Sequence, residues 1–266
     1  MVKQRINRFS SQWVMLVGAL AVLTVPRKGM TGSEVTGPST DRARAQEEMK
    51  QGAQAFRAGK YDEAQEHYRT VLKLDPTQKS AALALARSIR AQYKPGIADP
   101  QNIAKAREAI AVYEKALQDD PGQDEAFAAV ADLYGALKEG DHQREWILKR
   151  AKSEQLRPTT RSSAYRRAAD LDLGCARNTA NTDPAGADKC AARGLESISQ
   201  AIALSGDDEG ALTQKTQLLH QRAKLAETQG ASAQKGTYEK QAAAAEKRIA
   251  ALREEARKKS EALPTY

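Results

Sequence analysis

The chain has 266 residues, which is long enough to bury a sizeable core or to stack several repeats. Only 5% of the residues are aromatic, and no run alternates Val, Ile, Thr or Tyr between turns, so the composition excludes a sheet-rich fold and favours an all-α one. The net charge of +8 is compatible with nucleic acid, an anionic membrane or an acidic protein as a partner. Because both signs of charge are interspersed through most of the predicted helices, the charge alone selects none of these.

Residues 1–28 have the features of an export signal. Lys3, Arg5 and Arg8 precede an uncharged apolar run, Trp13–Val25. This order is typical of a bacterial secretory signal or a short signal anchor, although a full membrane span needs about 20 apolar residues. No small-x-small cleavage pattern follows closely, so we expect an uncleaved, single-pass inner-membrane anchor with the helical body in the periplasm. The alternatives are a cleaved signal on a secreted or periplasmic protein, and a buried helix of a cytosolic protein.

The most regular pattern lies in residues 45–76, which follow a predicted flexible linker at 29–41. Gly52 and Ala64 are small where two helices must approach closely, and Tyr68 fills the space between repeats. Gly59 stands where a helix ends in the conformation that costs glycine least. Pro76 closes the second helix of the pair.

Together with Tyr61 and Leu72, these residues resemble a tetratricopeptide repeat (TPR), a helix–turn–helix unit of about 34 residues. The resemblance is specific over about residues 45–137. It implies an all-α, TPR-like helical-hairpin solenoid of about three to four repeats, which binds protein partners and is not an enzyme. The implied domains are TPR-like repeats at 42–158, a degenerate fourth hairpin at 159–206 and a C-terminal long-helix hairpin at 207–260.

The second and third repeats depart from the pattern. Helices are predicted at Ser80–Tyr93 and 101–118, and the segment between them carries an insertion of 11 residues relative to the repeat period. We interpret the insertion as a surface loop, with a functional loop as the alternative. The third repeat begins at Asp124, and its second helix, His142–Leu156, loses the alternation of alanine and aromatic residues before Pro158 ends it.

Two further helical pairs are predicted. The fourth pair comprises Arg161–Thr179 and Gly186–Leu204, followed by Gly206 as a helix cap. The last pair comprises Glu209–Glu227 and Tyr238–Lys259. Its final helix carries a heptad stripe of Tyr238, Ala242, Ala245, Ile249, Leu252 and Ala256. Because three of these residues are alanines, we expect the helix to fold back on its neighbour, with a self-associating coiled coil as the alternative.

The two cysteines, Cys175 and Cys190, are equidistant from the predicted turn of the fourth pair. On an antiparallel hairpin such residues face each other, so we predict a disulfide, which agrees with export to an oxidising compartment. Two free thiols in a cytosolic protein are the alternative. A metal site is not expected, because two cysteines without nearby histidines do not complete a zinc shell.

No constellation for catalysis is visible. The sequence has no phosphate-binding glycine loop and no nucleophile motif, so we predict no catalytic residue, cofactor or metal. The densest basic stretch, Arg144–Arg167, lacks aromatic residues at stacking intervals, which argues against nucleic acid. We interpret it as a solvated helix face, with an anionic protein or lipid surface as the alternative.

The resemblance implies that the first helix of each repeat lines a concave groove. The partner-binding residues expected there are Met49, Ala53, Phe56, Arg57, Leu83, Arg87, Arg90 and Asp132. The positions that form a carboxylate clamp in some TPR proteins hold Met49, Ala53, Ser80 and Ala84, so that clamp is not expected.

Phe56 together with the arginines predicts a mixed apolar and cationic groove for a helix or an extended segment with acidic residues. The alternative is that Arg87 and Arg90 are only solvated. The sequence thus predicts a non-enzymatic adaptor or assembly scaffold of the bacterial envelope, or alternatively a structural component that self-assembles through its C-terminal helix.

Overall fold

The computed structural model describes residues 38–206 and 208–261, and within them it contains ten α-helices and no strand. The helices are α1 (Pro38–Arg57), α2 (Tyr61–Leu74), α3 (Lys79–Gln92), α4 (Pro100–Asp119), α5 (Asp124–Ala136), α6 (Gly140–Lys152), α7 (Pro158–Thr179), α8 (Pro184–Ser205), α9 (Glu209–Thr228) and α10 (Ser232–Glu261). Consecutive helices form hairpins, and the second helix of each hairpin also packs against the first helix of the next. The prediction of a helical-hairpin solenoid is confirmed, and the fourth pair continues the stack.

Small residues set the helix spacing. A Cβ atom at Gly52 would lie 2.7 Å from Cε1 of Tyr68, so only glycine lets α1 approach α2 this closely. Ala64 is fully buried on the same interface. Gly194 in α8 has the same role further along the stack, since a Cβ there would lie 2.7 Å from Cδ2 of Leu218 in α9.

The turn inside the first hairpin recurs in the third. Gly59 has a φ of +76°, and the neighbouring Lys60 amide donates to the carbonyl oxygen of Ala55 over 2.9 Å. Lys138 stands at the equivalent repeat position, has a φ of 60°, and is followed by the same hydrogen bond, from Glu139 to Tyr134, over 2.9 Å. The left-handed conformation costs a residue with a Cβ about 1–2 kcal/mol, so Lys138 carries strain that Gly59 does not.

Several helix limits differ from their predictions; α10, for example, begins at Ser232 rather than at Tyr238. Pro158 does not end the preceding helix but begins α7, where its fixed φ and missing amide hydrogen suit the first turn. The helix α6 ends at Lys152, earlier than the predicted Leu156, and Arg161 Nε donates to the carbonyl oxygen of Ala151 over 3.0 Å near this end. The side chain of Arg161 thereby satisfies one of the carbonyl groups that a helix end leaves open.

The N-terminal predictions fall almost entirely outside the described residues. This applies to the export signal at 1–28 and to the linker up to residue 37. The linker prediction is wrong for residues 38–41, which form the first turn of α1. Of the helices that the structure describes, none is long and apolar enough to cross a membrane.

The insertion in the second repeat is an ordered loop. The side chain of Asn102 accepts from the amide of Lys94 and donates to the carbonyl oxygens of Lys94 and Ile97, each over 2.8 Å. Asp99 caps α4 by accepting from the amide of Asn102 over 2.9 Å. The loop leaves Ile97 51% exposed, which is the largest exposure of a bulky apolar side chain in the described part of the chain.

The heptad stripe of α10 packs against α9 of the same chain. Ala242, Ala245 and Ile249 are buried, and the latter two pack with Leu212 of α9. The prediction that α10 folds back on its neighbour is therefore confirmed.

The basic stretch Arg144–Arg167 is not a solvated face, because five of its arginines make contacts between helices. Arg144 Nε contacts both carboxylate oxygens of Asp172 at 3.0 Å, and the same carboxylate lies 3.2 Å from Arg193 of α8. The Asp172 side chain is fully buried; burial raises its pKa, while the two arginines oppose that rise. Removing the carboxylate from a buried group of this kind costs about 3–5 kcal/mol, so Asp172 holds α6, α7 and α8 together. The other contacts run from Arg150 to Asp124, Arg161 to Ala151, Arg166 to Asp208 and Arg167 to Asp132.

We predict that Lys138→Gly stabilises the chain by about 0.5–1 kcal/mol, because glycine adopts the left-handed turn without strain. The measurement is the free energy of unfolding in denaturant, compared with the unsubstituted chain. Gly59→Lys is the reciprocal variant and should cost a similar amount, since a Cβ at Gly59 meets no atom within 4 Å and only the backbone is affected. Equal stabilities for Lys138→Gly and the parent chain would contradict the strain at this turn.

Candidate functional site: the first-helix face

The residues predicted to line the groove lie on α1, α3 and α5, on a surface that we call the first-helix face. Its apolar part consists of Met49, Phe56 and Leu83, which are half-buried and pack against the core. Phe56 also contacts Tyr61 edge to face, with ring centroids 5.4 Å apart. Ala53 is half-buried and Arg57 is exposed.

The arginines of this face are paired with carboxylates. Both Nε and Nη2 of Arg87 donate to Glu125, the forked geometry that suits a guanidinium and a carboxylate. Arg90 lies 3.6 Å from Asp132, and Arg167 of α7 donates to the same carboxylate over 2.6 Å. The structure thus brings together three residues predicted for the groove, Arg87, Arg90 and Asp132. Two further residues join them, Glu125 and Arg167, which the sequence did not place in the groove. Arg87 and Arg90 are not simply solvated, because each links α3 to α5.

The row of polar links continues to the last hairpin. Arg166 Nε of α7 donates to Gln214 of α9 over 3.0 Å, and its Nη1 lies 3.4 Å from Asp208. Hydrogen bonds and ion pairs therefore connect α3, α5, α7 and α9 along one face of the stack. This continuity depends on tertiary stacking and could not be read from the spacing of charges in the sequence.

The contact between Arg87 and Glu125 shifts the pKa of both groups. The hydrogen bond from Arg87 lowers the pKa of Glu125, and the same contact raises the pKa of Arg87. Both side chains are 49% exposed. An exposed pair of this kind contributes only about 0–1 kcal/mol to the stability of the fold.

A cleft of about 310 Å³ opens on the opposite side of the stack, between α4 and α6. Trp146 lines this cleft. Its ring stacks on Phe127 with the ring centroids 6.1 Å apart, and its Nε1 donates to the carbonyl oxygen of Phe127 over 3.2 Å. Leu117 and Leu156 add apolar walls, and Lys149 lies over the indole ring at 5.8 Å. Trp146 lies in α6, whose sequence loses the repeat's alternation of alanine and aromatic residues, and that loss is the sequence signal from which a cleft here could have been found.

The two cysteines meet as the sequence predicts. Their sulphur atoms are at bonding distance, 1.99 Å, and their Cα atoms are 6.0 Å apart across α7 and α8. Among the described residues, no group of three or more His, Cys, Asp or Glu side chains is placed to hold a metal ion.

A family model described as the tetratricopeptide repeat matches residues 45–78. The chain contains a tetratricopeptide repeat. This match covers the first hairpin from residue 45 onwards and ends at Gln78, the residue before α3 begins. No curated protein matches the sequence.

Three solved structures are similar to this chain at low sequence identity. The crystal structure of MamA is 16% identical, covers 79% of this chain and 95% of its own, and has a TM-score of 0.43. PilF of Pseudomonas aeruginosa is 15% identical, with coverages of 74% and 90% and a TM-score of 0.39. PilW, described as a widely conserved type IV pilus biogenesis factor, is 16% identical, with coverages of 74% and 91% and a TM-score of 0.34.

We predict that Arg87→Ala returns the pKa of Glu125 towards its ordinary value of 4.5, because the hydrogen bond that lowers it is removed. The measurement is an NMR titration of the Glu125 side-chain carboxyl carbon. A lowered pKa in the folded state means that the pair stabilises the fold above the ordinary pKa and that this contribution is lost as the pH falls through the lowered value. Arg107→Ala is the control, since its pair with Glu139 is remote from Glu125. An unchanged titration of Glu125 in Arg87→Ala would show that the pair does not form in solution.

Proposed function

We propose that the chain is a non-enzymatic adaptor or assembly scaffold of the bacterial cell envelope, which holds a polypeptide partner on its first-helix face. The observation that carries the proposal is the continuity of this face across successive hairpins, with half-buried apolar side chains at one end and exchangeable ion pairs beside them. Repeats of the tetratricopeptide kind stack to build extended binding surfaces. A preformed surface of this kind binds a segment without first having to order itself.

The chemistry of the face favours a partner segment with both apolar and acidic side chains. Among the described residues, the ion pairs of Arg87, Arg90 and Arg167 involve two carboxylates, Glu125 and Asp132. One positive charge is therefore left over, and Arg57 adds another at the end of α1. An acidic segment would satisfy these charges while its apolar side chains contact the neighbouring surface of α1 and α3.

The placement in the envelope is supported from two directions. The basic and apolar N-terminal run suits an inner-membrane anchor with the helical body in the periplasm, or a signal that is cleaved from a secreted protein. The cysteine pair stands at bonding distance, and such bonds persist in oxidising compartments such as the periplasm. Neither feature depends on the first-helix face, so the localisation and the binding surface can be tested separately.

We predict that the double variant Arg87→Ala/Arg90→Ala lowers capture of the native partner at least about tenfold, the effect of losing roughly 1.4 kcal/mol of binding free energy. The measurement is a quantitative crosslinking pulldown from native membranes with the full-length chain as bait.

The matched control is Arg69→Ala/Arg107→Ala. Its two arginines are similarly exposed, 45% and 49%, and also form ion pairs between hairpins, but with Glu108 and Glu139 on the opposite side of the stack. The control should capture normally. Equal capture by both double variants would refute binding on this face. A Trp146→Ala variant is measured alongside them, and a loss of capture in that variant alone would place the partner in the α4–α6 cleft.

We predict that the chain taken from its native compartment is oxidised at Cys175 and Cys190. After acid trapping and denaturation, a polyethylene-glycol maleimide should add no mass without a reductant and two additions after reduction. The readout is a gel shift. Two labels without reductant would refute the bond in the cell and remove one of the two supports for export.

A further inference from the structure

The two sulphur atoms of the Cys175–Cys190 bond have different surroundings. Cys190 is only 7% exposed and packs in the core that α7 and α8 share, whereas Cys175 is half-buried. Thiol–disulfide exchange requires a thiolate to reach one sulphur along the direction of the bond. A thiolate in solution therefore reaches Cys175 more readily than Cys190.

A guanidinium stands beside the buried sulphur. Nη2 of Arg193 lies 3.4 Å from Sγ of Cys190 and 3.2 Å from a carboxylate oxygen of Asp172. The Nε of Arg193 is buried and has no hydrogen-bond partner among the described residues. A nearby arginine stabilises a thiolate and lowers the pKa of a cysteine thiol, and a thiol of lower pKa is the better leaving group.

We propose that this bond is a thiol–disulfide exchange site with a fixed polarity, in which a small thiol attacks Cys175 and Cys190 leaves. The electron pair of the incoming thiolate forms a new bond to Sγ of Cys175. The electron pair of the old bond stays on Sγ of Cys190, as a thiolate beside Arg193. A second thiol then attacks the mixed disulfide at its outer sulphur and releases Cys175, so that two thiols become one disulfide and the protein is reduced by two electrons.

The hairpin does not depend on the bond to stay together. Leu173 and Ala176 of α7 are buried against Ala191 and Ile198 of α8. The hydroxyl of Ser162 donates to the carbonyl oxygen of Ala201 over 3.0 Å, which ties the other end of the two helices. The reduced hairpin therefore keeps both thiols facing each other, ready for reoxidation.

The test is the reaction of the full-length oxidised chain with glutathione, stopped by acid and followed by alkylation with N-ethylmaleimide. Peptide mass spectrometry then locates the two adducts. We expect glutathione on Cys175 and N-ethylmaleimide on Cys190. The opposite distribution, with glutathione mainly on Cys190, would overturn the proposal.

The rate of the same reaction tests the role of Arg193. Arg193→Gln should slow the first step about tenfold, because the leaving thiolate loses its stabilising charge, and Arg193→Lys should restore part of the rate. Arg177→Gln is the control, an exposed arginine on the same hairpin. If Arg193 only held the fold, its loss would loosen the hairpin and speed the reaction, so an unchanged or faster rate in Arg193→Gln would overturn its assignment.

Discussion

The close approach of paired helices is the constraint on which the rest of this structure depends. Gly52 against Tyr68, and Gly194 against Leu218, leave no room for a Cβ. A single hairpin in such a chain covers only part of its apolar surface, so each hairpin needs the next one for stability. The first-helix face exists because this stacking brings α3, α5, α7 and α9 side by side.

Charge is used in two different ways in the stack. On the first-helix face the ion pairs are exposed and contribute about 0–1 kcal/mol each, and we propose that they exchange with the carboxylates of a partner. Between α6 and the fourth hairpin, Asp172 is fully buried between Arg144 and Arg193, and the loss of its carboxylate would leave both arginines without their counter-charge. The first arrangement suits reversible binding, whereas the second fixes α6 to the hairpin that carries the cysteines.

The sequence predicted those features that are determined by local pattern. Gly59 predicts a helix end because only glycine adopts a positive φ without strain. Gly52 predicts a close approach of two helices because it has no side chain to separate them. The pairing of Cys175 with Cys190 followed from their symmetry about one turn. In contrast, the partners of Arg87 and Arg90 lie 38 and 42 residues away in the chain, and no local pattern specifies them. For the same reason the sequence predicts a solvated face for the basic stretch, whereas the carboxylate that contacts Arg144 is brought to it only by the stacking of α7 on α6.

The measurement that tests the central claim most directly is site-specific photocrosslinking in living cells. A photoreactive phenylalanine would replace Ala53 or Ala128 on the first-helix face, or Ala104 or Ala111 on the exposed side of α4. The account predicts one crosslinked envelope polypeptide from positions 53 and 128 and none from positions 104 and 111. Crosslinks only to a second copy of the chain, or only from α4, would contradict it.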